Sequence, residues 1–244
     1  MTFNPNVPYN DLPPLPPAVE VETKTILKRT ITARSALAEL KGLGATIPNQ
    51  ALLVDSLILQ EAKTSSEIEN IITTSDVLFR AFTASTSKID SATKEVLRYR
   101  EALWKGFNAL QKRPVLSTNL FIDLVQTIKE HKGGISNMPG TVVANATTQK
   151  VLYAPPEGEA VIRDHLKHLL EFMHADDDMD PLVKLALIHY QFEAIHPFPD
   201  GNGRVGRIVN ILFLIQQELL DLPVLYLSKS IIERKNDYYR LLRQ

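Results

Sequence analysis

Twelve consecutive residues bring together a base, a carboxylate, a small-residue loop and two guanidiniums: His196-Pro197-Phe198-Pro199-Asp200-Gly201-Asn202-Gly203-Arg204-Val205-Gly206-Arg207. A histidine can take a proton from a nucleophile at neutral pH. A carboxylate such as Asp200 suits a hard, oxygen-seeking cation such as Mg²⁺. Gly201 and Gly203 let backbone N–H groups turn toward an anion. The residues after Gly203 are apolar at helical spacing, so the loop is expected to open into a helix. A helix N-terminus favours phosphate through its free N–H groups and its dipole. Arg204 and Arg207 are three apart and share a helical face. Their planar forks can each grip two oxygens of one polyphosphate. As chemistry, the run describes a nucleoside-triphosphate site with a general base.

The run fits the signature His-x-Phe-x-Asp/Glu-Gly-Asn-Gly-Arg-x-x-Arg at all eight specified positions, and in this it resembles the Fic family. The similarity extends from Tyr9-Asn10-Asp11-Leu12-Pro13 to Tyr238-Tyr239. The resemblance implies a protein adenylyltransferase. In that reading His196 deprotonates a Ser, Thr or Tyr hydroxyl of a target protein, the oxygen attacks the α-phosphate of ATP, and pyrophosphate leaves. Asp200 holds Mg²⁺ between the α- and β-phosphates. Asn202 and the N–H groups around Gly201 and Gly203 bind phosphate, and Arg204 and Arg207 neutralise the leaving pyrophosphate. Phe198 joins this nucleotide-binding set as an anchor that fixes the loop. Tyr239 and Leu242 take a place beside adenine. Gly201-Asn202-Gly203 favours nucleotidyl transfer over the phosphate transfer of Doc-type kinases, which depart from the glycine-rich pattern.

The resemblance also implies a β-hairpin flap, with Thr148, Val151, Leu152 and Tyr153 as its docking strand. An exposed strand edge can pair main chain to main chain with an extended target segment. A hairpin that merely covers the fold is the alternative.

Thr64-Ser65-Ser66-Glu67-Ile68-Glu69-Asn70 supports two compatible readings. Thr64 with Glu67, or Ser66 with Glu69, fits a capping box that would start a short helix. Ser65, Glu69 and Asn70 also match the Fic inhibitory motif, Ser/Thr-x-x-x-Glu-Gly/Asn, of the class with an N-terminal inhibitory helix. There Glu69 would pair with Arg207 and deny it to the γ-phosphate. Some relatives run the same site backwards, with the inhibitory Glu helping to remove AMP. A bifunctional or de-adenylylating enzyme, or a nucleotide-sensing regulator, are the alternatives. Self-modification falls within the expected target range, and oligomeric state is left open.

Composition narrows the rest. The chain has 244 residues, 44 % hydrophobic, which suffices for one large domain. Its net charge of −1 gives no whole-protein field for nucleic acid or membranes. The absence of cysteine excludes disulfides, thiolate metal sites and cysteine catalysis. A cytoplasmic protein is the simple reading. No signal peptide is legible, and the longest apolar stretch, Ile208 to Ile215, is far too short to span a bilayer. His189 and Asn210 read as structural. His131, His165, His168 and His174 show no ligand spacing, so no zinc site is expected.

The elements that must position these groups are mainly helical. A Pro- and Asn-rich arm over residues 1–20 is expected to lie extended. Helical spacing then runs from Val21 to Leu43, stopped by Gly42 or Gly44. A second helix starts at Pro48, with Leu52, Leu53, Leu57, Ile58 and Leu59 on its apolar side. Further helices are expected at 92–111, 117–130, 159–174, 181–195, 204–219 and 228–243. A hairpin is expected over 140–154, with a strand at 147–153. The fold class is mainly α, a Fic-type helical core with a small β-hairpin flap. Residues 1–90 would carry the arm and inhibitory helix, and 91–244 the catalytic core, in one compact unit. The winged-helix region of relatives is not found before the chain's end at Gln244.

Overall fold

A helix that is apolar on every side has to be enclosed by others, and one such helix organises this molecule. The computed structural model describes residues 4–46, 50–83, 89–144 and 150–242. Its elements are α1 (Lys24–Thr46), α2 (Gln50–Ile68), α3 (Ser75–Thr83), α4 (Ser91–Lys112), α5 (Thr118–Lys129), β1 (Val143–Ala144), β2 (Val151–Tyr153), α6 (Glu159–His174), α7 (Pro181–Ile195), α8 (Asn202–Gln216), α9 (Leu227–Glu233) and α10 (Lys235–Leu241). Every residue of α8 from Arg204 to Ile215 is buried. Helices α2, α4, α5 and α7 pack around it. The α4 contact is close because Gly106 has no Cβ, which would stand 2.6 Å from Leu212 Cδ1. The expected mainly helical fold with one small hairpin is the fold observed.

Caps set the starts of the surrounding helices. Asp90 accepts the Thr93 N–H at α4, and Ser117 the Leu120 N–H at α5. Asp180 caps α7, with Pro181 at the first helical position, where a missing N–H costs nothing. The hairpin is antiparallel, Val143 opposite Tyr153. The N-terminal arm lies extended across it and α7. Tyr9 N–H donates to Ala154 O (3.0 Å), and Gln191 Nε2 donates to Pro13 O (3.0 Å). Leu12 and Leu15 of the arm pack against the core.

Several boundaries differ from expectation. Helix α1 runs through Gly42 and Gly44, since a helical glycine costs only about 1 kcal/mol and neither takes a positive φ here. Pro48 lies outside the described residues, and Leu53 is exposed rather than inward. There is no separate short helix at Glu67–Asn70. Helix α2 continues to Ile68, so Thr64, Ser65 and Ser66 are interior residues and form no capping box. Thr64 Oγ1 meets Tyr226 OH (2.5 Å) and Ser65 Oγ accepts from Arg207 Nε (2.7 Å), while Ser66 Oγ is buried without a partner. Helix α3 was not expected. Leu78, Ala81 and Phe82 recur at helical spacing in it, but only Leu78 is buried, with Val77, Phe79 and Phe82 exposed. The helix expected over 228–243 breaks at Arg234 into α9 and α10. The strand expected over 147–153 is Val151–Tyr153, and Thr148 lies outside the described residues. No helix among the described residues is long and apolar enough to cross a membrane.

Candidate active site

His196 ends α7 in the left-handed region, φ 49° and ψ 55°, with its N–H on Phe192 O (3.1 Å). A residue before proline is ordinarily pushed to extended backbone. A non-glycine residue held in αL instead is a local strain of the kind that collects at functional sites. Burial pushes the imidazole pKa down, against a backbone hydrogen bond at Glu193 and the charges of Glu69 and Asp200. The ring is therefore a free base at neutral pH. Tyr153 of the hairpin donates to Ala194 O (3.0 Å), which ties the flap to the turn that carries His196.

The loop beyond His196 is closed from inside. Asn202 Oδ1 accepts the Phe198 N–H (2.8 Å), and Asn202 Nδ2 donates to Phe198 O (2.6 Å). Phe198 is fully buried, 6.4 Å from Phe192 by ring centroids. Phe198 faces the core, as expected of an anchor that fixes the loop. The Asn202 amide, expected on phosphate, is spent on the Phe198 backbone. Gly201 (φ +88°) turns the chain into α8 in a conformation that other residues take only at a cost.

Arg204 and Arg207 do not converge. Arg204 Nη1 lies 2.5 Å from Glu95 Oε1, and its Nη2 lies 3.5 Å from Asp200 Oδ1. Lys129 Nζ bridges the same two acids, 2.7 Å from Glu95 and 2.6 Å from Asp200. Two acids and two cations thus alternate in a ring. Burial pulls the Asp200 carboxyl up, but the Lys129 hydrogen bond and the nearby cations prevail and hold it below its ordinary value. Glu95 behaves likewise, burial being outweighed by Lys129 and Arg204.

Arg207 is fully enclosed. Nε donates to Ser65 Oγ (2.7 Å), while Nη2 donates to Ser65 O (2.9 Å) and Glu69 Oε1 (2.9 Å). Burial opposes its charge, but Glu69 foremost, with other neighbours, raises its pKa. Glu69 reaches it because α2 ends there. Ile71 N–H bonds to Ser66 O and Asn70 N–H to Glu67 O, both 3.0 Å, with Asn70 at φ 63°. That is a Schellman closure with Asn70 in the αL position. It explains in physical terms why Gly or Asn follows the glutamate in the motif. A carboxylate at a helix C-terminus meets the wrong end of the dipole, so Arg207 is what holds Glu69 in place.

A second tier lies behind Arg207. His189 Nδ1 faces Asn210 Nδ2 (3.1 Å) and its Nε2 faces Tyr238 OH (2.8 Å). Burial pushes its pKa down to about 3, so it is a neutral linker. Glu193, raised to about 7 by burial against the Arg207 charge, has an unpartnered buried Oε1. Tyr239 packs edge-on to Tyr238, 5.2 Å between centroids, and Leu242 follows α10. Tyr239 therefore stands one layer beyond His189. Val151 and Leu152 sit in β2 with Tyr153.

The sequence reading missed Glu95, Lys129, Glu61, Tyr99 and Glu193. Their partners are far away in the chain, and the available signal was weak: a charged or phenolic residue on an otherwise apolar helix face. For a divalent cation the donor set is one ionised, largely exposed carboxylate, Asp200. No group of three His, Cys, Asp or Glu side chains gathers among the described residues. That fits Mg²⁺ carried by substrate oxygens and water, which needs no protein cage.

Comparison with known proteins adds a lineage. Residues 27–108 match the model of the Fic/DOC family N-terminal region, and residues 115–214 that of the Fic/DOC family. A segment of 69 residues is 36 % identical to an Aquifex aeolicus protein named "Probable protein adenylyltransferase aq_aa38", over 28 % of this chain and 21 % of that protein. A segment of 125 residues is 23 % identical to protein adenylyltransferase fic-1 of Caenorhabditis elegans, over 50 % of this chain and 23 % of that one. Each match thus spans under a quarter of the relative. A Fic family protein of Desulfovibrio desulfuricans superposes with TM-score 0.70 at 20 % identity, over 91 % of this chain and 67 % of that one. A Fic domain signaling protein of Bacteroides thetaiotaomicron gives 0.67 at 19 %, over 86 % and 80 %. At these identities the structural likeness is one of fold.

Proposed function

This chain belongs to the Fic/DOC family, and we propose that it is a protein adenylyltransferase held off by its own Glu69. The observation that carries the reading is His196, a free base fixed at the end of α7, whose loop leads into the N-terminus of α8. Relatives with matching segments carry the adenylyltransferase name. In the proposed reaction His196 takes the proton of a Ser, Thr or Tyr hydroxyl. The oxygen forms a bond to the α-phosphorus of ATP, the bond to the β-phosphate oxygen breaks, and pyrophosphate leaves. The first N–H groups of α8, that of Gly203 among them, and the helix dipole would favour the phosphates, while the Gly201 N–H faces Asp200. Asp200 would hold Mg²⁺, which when bound offsets triphosphate charge.

The hairpin, anchored through Tyr153, would align the target segment by main-chain pairing along Val151 and Leu152. Tyr239 and Leu242 would border the adenine. Residues 1–90 would act as the inhibitory region on a catalytic core at 91–244. Glu69 supports the regulatory half of the reading by holding Arg207, the guanidinium a γ-phosphate would need. Intact-mass and peptide mass spectrometry after incubation with ATP tests the reading. It expects an AMP adduct on a hydroxyl residue of the protein or of an added lysate protein, with release of pyrophosphate. ATP bound without any adduct, even with Glu69 removed, would point to a nucleotide sensor.

A further inference from the structure

Three carboxylates answer the buried charge of Arg207, Glu69, Glu61 and Glu193; Glu193 has a buried Oε1 that receives no donor, and the other two differ in kind. Glu69 touches it directly, is 32 % exposed, and sits where α2 ends. Glu61, two turns earlier on α2, is 1 % exposed and reaches Arg207 through two hydroxyls. Arg207 Nε donates to Ser65 Oγ (2.7 Å). The Ser65 hydroxyl donates to the Tyr99 oxygen, and Tyr99 OH donates to Glu61 Oε1 (3.2 Å). Every proton in this chain points from the guanidinium toward the carboxylate. Ser228 completes the shell, its hydroxyl on Glu61 Oε1 (2.5 Å) and its N–H on Oε2 (2.8 Å).

A main-chain N–H can only donate, so both Glu61 oxygens receive donors, which fits an ionised acid. Burial prevails and raises the Glu61 pKa, while Ser228, the Arg207 charge and Tyr99 pull it back down in part; the donors on both oxygens are what geometry offers the ionised form. A buried carboxylate without such partners would be strongly disfavoured. Ser65, Tyr99, Glu61 and Ser228 are all buried.

A buried cation stripped of its counter-charge is costly to the fold. If Glu69 alone neutralised Arg207, moving it away would expose that cost. We infer that Glu61 is the standing counter-ion of Arg207, a positioning residue that keeps the arginine aimed after Glu69 releases it. Glu69 is then removable because Glu61 stays. Only the nucleotide arm of the test rests on the adenylyltransferase reading.

Glu61→Gln keeps the shape and removes the charge. Urea unfolding of the wild type, Glu61→Gln, Arg207→Met and the double variant forms a cycle. The expected coupling changes the unfolding constant about tenfold. Additive effects would overturn the counter-ion relation. In the Glu69→Gly protein, calorimetry with ATP and with AMP supplies the second readout. Glu61→Gln should weaken ATP about tenfold while changing AMP little, because Arg207 serves the distal phosphates. Equal losses for both nucleotides would overturn the positioning role. If Glu61→Gln does not fold, Tyr99→Phe cuts the relay while leaving Ser228 on Glu61, and the same loss for ATP over AMP is expected; its absence overturns the inference. If Glu69→Gly protein binds neither nucleotide, the proposed function fails while the unfolding cycle still decides the counter-ion relation.

Discussion

Gly203 and Glu69 share one space: a Cβ on Gly203 would stand 2.4 Å from Glu69 Oε1 and 3.0 Å from Arg207 Nη1. The first turn of α8 and the carboxylate that closes on Arg207 therefore fit together only because residue 203 has no side chain. Gly203→Ala should push Glu69 off Arg207. Alanine in a helix is favoured over glycine by up to about 1 kcal/mol, so the sign depends on Glu69. Urea midpoints should fall on Gly203→Ala in the wild type and hold or rise in Glu69→Gly. The same change in both backgrounds would mean the two residues do not compete.

Asn70 should matter through its backbone rather than its amide. An ordinary side chain in αL costs about 1–2 kcal/mol, and glycine costs least. Asn70→Gly should keep both stability and inhibition. Asn70→Val should fray the end of α2, loosen Glu69 and raise adenylylation. Equal melting and equal activity for the valine variant would remove Asn70 from the inhibitory device.

The loop was legible in the sequence because it is local, and the expected Glu69–Arg207 contact is present. Twelve contiguous residues hold the base, the carboxylate and the glycines, and their chemistry needs no knowledge of the fold. What the sequence could not carry was direction. Arg204 and Arg207 share a helical face, yet α8 is buried on all sides, so each finds a different acid, Glu95 on α4 and Glu69 on α2. Asn202 looked like a phosphate ligand until Phe198 claimed both ends of its amide. The serines of the inhibitory motif looked like a helix start because capping residues read alike wherever they fall, and only packing against Arg207 and Tyr226 makes them interior. Helix α3 was missed although Leu78, Ala81 and Phe82 stand at helical spacing, because the pattern lasts only 9 residues.

Transfer should keep its acid-side activity to unusually low pH. Burial holds the His196 pKa below 6.5, so the unprotonated ring persists below the range of a free histidine. Activity is lost as pH falls through that lowered value. The acid limb of kcat/KM, measured with Glu69→Gly protein, should lie below pH 6.5. A limb above it would contradict the free-base assignment.

Asp200→Asn should shift the Mg²⁺ titration of transfer to higher concentrations, since a neutral amide is a poorer ligand for a hard cation. The fold should tolerate it, because Lys129 and Arg204 retain Glu95. An unchanged Mg²⁺ titration would remove Asp200 from the metal role.

Release of Arg207 by Glu69→Gly, read with ATP labelled at the α- or the γ-phosphate, tests autoinhibited adenylylation most directly. Breaking a buried pair involves about 3–5 kcal/mol, less here because Glu69 is 32 % exposed, so a rate gain of at least about tenfold is expected. The α-label should pass to protein in Glu69→Gly, far less in the wild type, and about 10²–10⁴-fold less when His196→Ala is added; the γ-label should not pass at all. Equal α-labelling of wild type and Glu69→Gly, or transfer of the γ-label, would contradict the account.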